Sequence, residues 1–227
     1  MPSAFRRLGI LSRSRFLQLA ALTAFCLAAP VGAFDGTSGS GQPVAKIEED
    51  WIIVVDEPSD EEILPQLYIV TTPTGNLDGT YSVFEVNNLL LPDFYGGGLQ
   101  FQTWVGKDAT GEAHHDSFNA LSTNGETITF TVGMKVEDGN LRFKVKNGVS
   151  TTWGAFGSDE SLAIWVPSNV SDLSGYNPEH SAKFSRVGAG RGRVNKFQLQ
   201  QVRYYDASGN LLSTDTTARD AQVDEPT

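Results

Sequence analysis

Residues 126–146, ETITFTVGMKVEDGNLRFKVK, decide the fold class of this chain. Apolar side chains from Ile128 to Val132 alternate with threonines, and those from Leu141 to Val145 alternate with arginine and lysine. A period of two that is carried by β-branched and aromatic residues is typical of a strand with one buried face. Between the two halves, Asp138-Gly139 supplies the positive φ angles that a tight turn requires. The stretch therefore predicts a β-hairpin.

Further segments on both sides of this hairpin predict strands. They are Trp51–Val55, Gln66–Thr71, Tyr81–Asn87, Leu99–Val105, Thr151–Phe156, Leu162–Val166 and Lys196–Tyr205. Clusters of Gly, Pro, Asn or Asp bound most of them. Beyond residue 40 no apolar residues recur at helical spacing for three turns, so we expect an all-β fold without helices, built as a sandwich or barrel of antiparallel sheets.

The last predicted strand carries one irregularity. Phe197 and Leu199 share a face, and Val202 and Tyr204 keep that face only if one residue is skipped at Gln200-Gln201. A skipped residue of this kind predicts a β-bulge.

Residues 1–33 have the organisation of an export signal. Four arginines precede an apolar run from Phe16 to Ala29, and Pro30 and the small residues Val31-Gly32-Ala33 follow it. An uncleaved membrane anchor is the alternative, which the short run disfavours. We therefore expect an exported protein (periplasmic, cell-surface or extracellular) with no membrane span in the mature chain.

The remaining chain divides by composition. Residues 34–46 are rich in Gly and Ser and predict a flexible leader, residues 47–213 predict a single β-sandwich domain, and residues 214–227 predict a polar, frayed tail.

Charge and cysteine content exclude several functions. The four arginines of residues 1–33 leave 13 basic and 27 acidic residues in the mature chain, a net charge of −14. Nucleic acid is therefore not expected as a partner, because binding it relies on basic side chains. The single cysteine, Cys26, lies within the signal, so the mature chain is expected to have neither a disulfide nor a thiolate site.

Two resemblances follow from these features. The central Asp-Gly hairpin and the closing strand at residues 193–205, which a Gly-Asn turn follows, resemble a concanavalin A-like jelly roll. That fold hosts lectins, glycan-binding modules and glycan-cleaving enzymes.

The second resemblance covers most of the mature chain. Its segments are IEEDW (47–51), PTGNLDGTYSVFEVN (73–87), GGLQFQTW (97–104), ETITF (126–130), NGVSTTWGAFG (147–157), YNPEHS (176–181) and VGAGRGRV (187–194). They are similar to a family of uncharacterised, secreted, single-domain bacterial proteins. This resemblance implies no activity and no catalytic residue.

Amides and tryptophans mark a candidate binding face. If the apolar residues of each strand are buried, Gln100, Gln102 and Trp104 share the opposite face, Trp165 points outward, and Glu85 turns away from the core. Indole rings pack on the apolar side of a sugar, and amides both donate to and accept from its hydroxyls. The alternative is that these residues form a second core layer.

No catalytic or metal motif stands out. Glu85 is alone on its strand, and Glu48, Glu49 and Asp50 are expected to be solvated, so no carboxylate pair suits glycan hydrolysis. His114-His115-Asp116 offers too few ligands for zinc. We expect no metal and no cofactor. Calcium is the one ion for which possible oxygen donors exist, namely Asn76, Asp78, Asp206, Ser208 and Asn210.

These observations favour a secreted, non-catalytic β-sandwich that binds extracellular glycan or another surface polymer. The expected contact residues are Trp104, Trp165, Gln100, Gln102 and Glu85. A structural or assembly subunit of the cell surface is one alternative, and a glycan-cleaving hydrolase or lyase is another.

Overall fold

A computed structural model describes residues 42–88, 96–114 and 118–223. Within these residues the chain forms thirteen strands, one α-helix and one 3₁₀ turn. The strands are β1 (Lys46–Val55), β2 (Gln66–Thr71), β3 (Thr80–Val86), β4 (Leu99–Val105), β5 (Asp108–His114), β6 (Glu126–Glu137), β7 (Asn140–Ser150), β8 (Gly154–Phe156), β9 (Ala163–Pro167), β10 (Arg186–Ala189), β11 (Val194–Tyr205), β12 (Leu211–Asp215) and β13 (Arg219–Asp220). Helix α1 spans Pro178–Phe184, and the 3₁₀ turn spans Arg191–Arg193.

The strands form two antiparallel sheets. The larger has eight strands in the order β12-β11-β1-β6-β7-β8, with β13 also pairing with β11 and β9 also pairing with β7. The smaller has five strands in the order β10-β2-β3-β4-β5. The prediction of an all-β fold with two antiparallel sheets is confirmed. The first and last long strands, β1 and β11, lie side by side in the larger sheet.

Aromatic side chains join the two sheets. Phe84 of the smaller sheet lies 5.1 Å from Phe130 and 6.4 Å from Phe156 of the larger sheet, measured between ring centroids. Each of these side chains is at least 98 % buried, and burying one contributes roughly 1.5–3 kcal/mol. Because inner-face residues alternate with outward-facing ones, each sheet also presents an outer face.

Two local predictions are confirmed. The hairpin β6–β7 closes through Asp138 and Gly139, whose φ angles are 49° and 73°, as a two-residue hairpin loop of the primed type requires. In β11 the register with β1 shifts so that Asp50 faces Gln201 and Trp51 faces Leu199. Gln200 is therefore the bulged residue.

Helix α1 contradicts the expectation of a fold without helices. It has seven residues, with Asn177 accepting from the backbone N–H of Glu179 and Pro178 in the first turn. A helix of two turns cannot show three turns of apolar periodicity. Tertiary contacts therefore hold it, and its sequence carries only the capping signal.

The predicted frayed tail is wrong for its described part. Residues Leu211–Asp215 form β12 and Arg219–Asp220 form β13, both of which pair with β11. Ala221 is 5 % exposed. At the other end, Val44 is 1 % exposed and its carbonyl accepts from the N–H of Leu173 at 2.7 Å. The domain therefore begins inside the predicted leader.

The prediction that the acids of β1 are solvated is also wrong. Glu49 is fully buried on the inner face, where one carboxylate oxygen accepts from the hydroxyls of Tyr176 and Ser181, and the other accepts from Trp51 Nε1 at 2.9 Å and from Thr71 at 3.1 Å. Burial raises its pKa. Four donors and no cation surround this carboxyl group among the described residues, which makes it a structural anchor between the sheets and α1.

Candidate functional site

The outer face of the five-stranded sheet gathers most of the predicted contact residues. In the register of β3 with β4, Glu85 faces Gln100 and Tyr81 faces Trp104. Gln102 lies between them, opposite Val83. All five side chains point away from Phe84 and Phe101, which are fully buried in the core. Four of the predicted contact residues thus share one face.

A second carboxylate joins them from β5. Glu112 faces Gln102, and Gln100 Nε2 donates to Glu112 Oε1 at 2.8 Å. Gln100 therefore lies between Glu85 on one neighbouring strand and Glu112 on the other. We call Glu85, Gln100, Gln102, Trp104 and Glu112 the acid–amide face.

Sequence reasoning missed Glu112 because it missed β5. The strand reads DATGEAH, which lacks β-branched and aromatic residues apart from one threonine. The signal that the sequence of β5 did carry is a glycine, Gly111, on the side of the strand that faces the core. A Cβ on Gly111 would lie 2.7 Å from Ile164 Cγ2, so the close packing of β5 against β9 requires glycine there.

The surroundings of Glu85 favour its neutral form. Burial, together with the negative charge of Glu112, raises the pKa of Glu85 to about 7. Glu85 is alone on its own strand, as predicted, but Glu112 of β5 lies on the same face of the sheet. Near neutral pH Glu85 is therefore present in both its protonated and its ionised form.

Tyr68 and Arg186 extend the row across the sheet. Tyr68 faces Glu85 on one side and Arg186 on the other, and the Arg186 guanidinium lies 5.9 Å from the Tyr68 ring centroid. Burial, together with the charge of Glu85, raises the pKa of Tyr68 to about 12. Tyr68 is therefore a neutral hydroxyl at physiological pH, which can both donate and accept.

Two buried polar atoms of the acid–amide face have no partner among the residues that the structure describes. Gln100 is 0 % exposed, and its Oε1 accepts no hydrogen bond, while Trp104 Nε1 donates none. Leaving a buried polar atom unpaired costs about 1–3 kcal/mol. One acceptor and one donor thus lie on the same strand, four residues apart, without a partner among the described residues.

The chain matches no protein-family model, no curated protein and no solved structure. The site is therefore interpreted from its geometry and chemistry.

Trp165 does not join the acid–amide face. It lies on β9 of the larger sheet, opposite Arg142 of β7, and its neighbour Ile164 points inward to Gly111. Trp165 accordingly projects from the outer face of the eight-stranded sheet, where it is 50 % exposed and lies 4.7 Å from the Arg142 guanidinium. Alternation along β9 was predicted correctly, but the sequence could not tell which sheet this strand joins.

The candidate metal ligands serve other roles or lie outside the described residues. His115 and Asp116 are not among the residues described, and the same holds for the side chain of His114. Asn76 Oδ1 accepts from the N–H of Asp78, and Asp206 accepts twice from Asn210, so these possible calcium donors hold turns together. In residues 42–88, 96–114 and 118–223 no three His, Cys, Asp or Glu side chains cluster closely enough to hold a metal.

One further finding concerns membranes. Among the described residues, no helix has the length and apolar character that crossing a bilayer requires.

Proposed function

We propose that this chain is an exported β-sandwich that binds an extracellular glycan or another surface polymer through the acid–amide face. The observation that carries the proposal is a pair of buried polar atoms, Gln100 Oε1 and Trp104 Nε1, that have no partner among the described residues. Around them lie the carboxyl groups of Glu85 and Glu112 and the half-buried amide of Gln102. Hydroxyl groups of a sugar can donate to and accept from all of these, and the indole of Trp104 offers an apolar surface.

Binding to a glycan array tests the proposal. We expect the full-length protein to bind at least one glycan, and Trp104→Ala to weaken that binding by about tenfold or more, which corresponds to roughly 1.4 kcal/mol. Gln102→Ala, which removes an amide that makes no hydrogen bond within the described residues, should weaken it less. Trp165→Ala is the matched control, because it removes an exposed tryptophan from the opposite face. No binding, or equal loss in Trp104→Ala and Trp165→Ala, would refute the proposal.

A second candidate is glycan cleavage at the same face, which the carboxyl groups of Glu85 and Glu112 favour. With its raised pKa, Glu85 retains a proton that it could donate to the oxygen of a glycosidic bond, while Glu112 removes a proton from the water that attacks the sugar carbon. The water oxygen forms the new bond, and the departing sugar leaves with the proton of Glu85.

The two candidates separate in one assay. A cleaving enzyme releases new reducing ends from the glycan that it binds, and both Glu85→Gln and Glu112→Gln should abolish release while binding persists. A protein that binds glycan without releasing reducing ends is a binding module only.

The compartment and the finer fold belong to the same proposal. Residues 1–33 support export, and an N-terminal sequence starting at Phe34 in the exported protein would test it. Adjacent first and last long strands in two antiparallel sheets support a concanavalin A-like jelly roll, as does the resemblance of the hairpin and closing strand. The similarity to secreted single-domain bacterial proteins is consistent with both.

A further inference from the structure

An open groove crosses the outer face of the eight-stranded sheet, opposite the acid–amide face. Its volume is about 620 Å³, which is within the range of roughly 300–1,000 Å³ typical of ligand sites. Its polar lining comes from four adjacent strands: Asp50, Thr129, Thr131, Asn147, Gln200, Gln201 and Arg203. Four strands at a spacing of about 4.8 Å give the groove a length of roughly 14 Å.

Two irregularities of the strands lie at the same level and shape this groove. On one side the register of β1 with β11 shifts between Asp50 and Trp51, which places Gln200 and Gln201 at the groove. On the other side the register of β6 with β7 shifts between Thr129 and Thr131. Bulges re-aim side chains and are common beside binding sites.

Asn147, within the second irregularity, has a φ of 54°. Asparagine is one of the few residues besides glycine that adopts this left-handed conformation readily, so the bulge is compatible with its sequence. Its side chain Nδ2 reaches Thr131 Oγ1 at 3.4 Å.

The polar groups of the groove are held rigidly. Asp50 accepts from the Thr131 hydroxyl, from Gln201 Nε2 and from Arg203 NH2, each at 2.7 Å. Because Asp50 and Arg203 neutralise each other, the lining carries no net charge. The Thr129 hydroxyl makes no hydrogen bond among the described residues and is half-buried, so it faces the groove with both donor and acceptor capacity.

We propose that this groove is a second binding site, and that its ligand is a neutral oligosaccharide segment. The lining combines hydroxyl and amide groups with the Asp50–Arg203 ion pair and the apolar Ile52. It therefore complements the hydroxyls and apolar ring faces of a neutral sugar chain, and it offers no uncompensated charge to attract an anionic or cationic polymer. Trp165 lies on the same outer face but outside the groove. Its partner Arg142 is four residues along β7, or roughly 13 Å, from Lys146, which faces Thr131. With a site on each outer face, the domain would bind two polymer chains at once.

Backbone amide NMR of the full-length, isotope-labelled protein tests this. Short neutral gluco-, manno- and chito-oligosaccharides should shift the amide signals of residues 129–131, 147 and 200–201. The variant Thr129→Val/Asn147→Gly/Gln200→Ala should weaken this binding by about tenfold. These substitutions leave the three hydrogen bonds of Asp50 in place, and glycine tolerates the φ of Asn147. Thr127→Val, on the same strand and face but outside the groove, is the matched control and should bind as the wild type does.

The outcomes separate this inference from the proposed function. The inference would be overturned if the groove signals responded only to oligouronates or to peptides, or to none of the neutral oligosaccharides. It would also be overturned if Thr127→Val weakened binding as much as the triple variant does. Shifts at residues 85, 100–104 and 112 report on the acid–amide face independently. If those are absent while the groove responds, the proposed function fails and the groove site stands.

Discussion

Two glutamates on opposite outer faces have pKa values shifted in opposite directions because their neighbours differ. Burial and the charge of Glu112 raise the pKa of Glu85 to about 7. Burial would also raise the pKa of Glu48, but hydrogen bonds from Lys146 and Lys46 and their charges lower it to about 2. Glu48 Oε1 lies 2.6 Å from Lys146 and 2.9 Å from Lys46. These shifts predict opposite dependences of stability on pH.

Glu85 should destabilise the fold as pH rises. Its folded-state pKa is above the unfolded value of 4.5, so its contribution to the free energy of unfolding is intact below pH 4.5 and is lost as pH rises through about 7. The full loss is about 3 kcal/mol. Glu85→Gln removes this titration, so its stability relative to the wild type should increase from about pH 4 to about pH 8. Urea unfolding at several pH values measures this, with the exposed Glu61→Gln as control. A difference that does not change with pH would contradict the pKa shift.

Glu48 should behave in the reverse sense. Its folded-state pKa is below the unfolded value, so its contribution is present above pH 4.5 and is lost as pH falls towards 2. The Lys46 and Lys146 side chains are 29 % and 31 % exposed, so water screens part of the attraction. Glu48→Gln should therefore lower the free energy of unfolding by about 2 kcal/mol at neutral pH. The gap between variant and wild type should shrink as the solution is acidified to about pH 3. Guanidinium unfolding at both pH values checks this, and a gap that persists undiminished in acid would refute it.

At the scale of elements, α1 depends on the buried carboxyl group of Glu49. Ser181 Oγ donates to Glu49 Oε1 at 2.5 Å from the buried side of the helix, and the Ser185 hydroxyl accepts from the N–H of Val70 at 2.9 Å just beyond its end. Two turns of helix are unstable alone, so these contacts determine whether α1 is formed.

Ser181→Ala should loosen α1 without unfolding the sandwich. It removes one of four donors to Glu49, which costs about 1–3 kcal/mol, and the loss should appear first as faster hydrogen exchange at the amides of residues 181–185. Lys183→Ala, on the exposed side of the same helix, is the control and should change stability by no more than about 0.5 kcal/mol. Equal exchange in the two variants would show that the contact does not hold the helix.

Local chemistry was readable from the sequence, and long-range partners were not. The hairpin at Asp138-Gly139 and the bulge at Gln200 follow from residues that lie next to each other in the chain. Glu112, in contrast, acts on Glu85 only because β5 pairs with β4, and the groove exists only because two bulges fall at one level of the larger sheet. Trp165 shows the same limit. Its outward direction follows from alternation along its own strand, but the sheet that this strand joins depends on pairing with the distant β7.

At the scale of the molecule, the C-terminal segment closes one side of the sandwich. Residues 219–220 pair with β11 of the larger sheet, and Gln222 forms a bridge with Arg186 of the smaller sheet. Arg219 links Asp215 at 2.7 Å to Glu179 of α1 at 2.5 Å. A segment whose composition predicts a frayed tail therefore connects both sheets and the helix.

Removing residues 214–227 should accordingly destabilise the whole domain. The deletion removes the pairing of β13 with β11, uncovers the surface that Ala221 buries and leaves Glu179 without Arg219. Breaking buried networks is among the costliest changes. We therefore expect the free energy of unfolding to fall by several kcal/mol. Removing only residues 224–227 is the matched control and keeps every one of these contacts. Thermal unfolding compares the two chains. If both shortened chains unfold at the same temperature as the wild type, the segment is a tail that does not stabilise the domain.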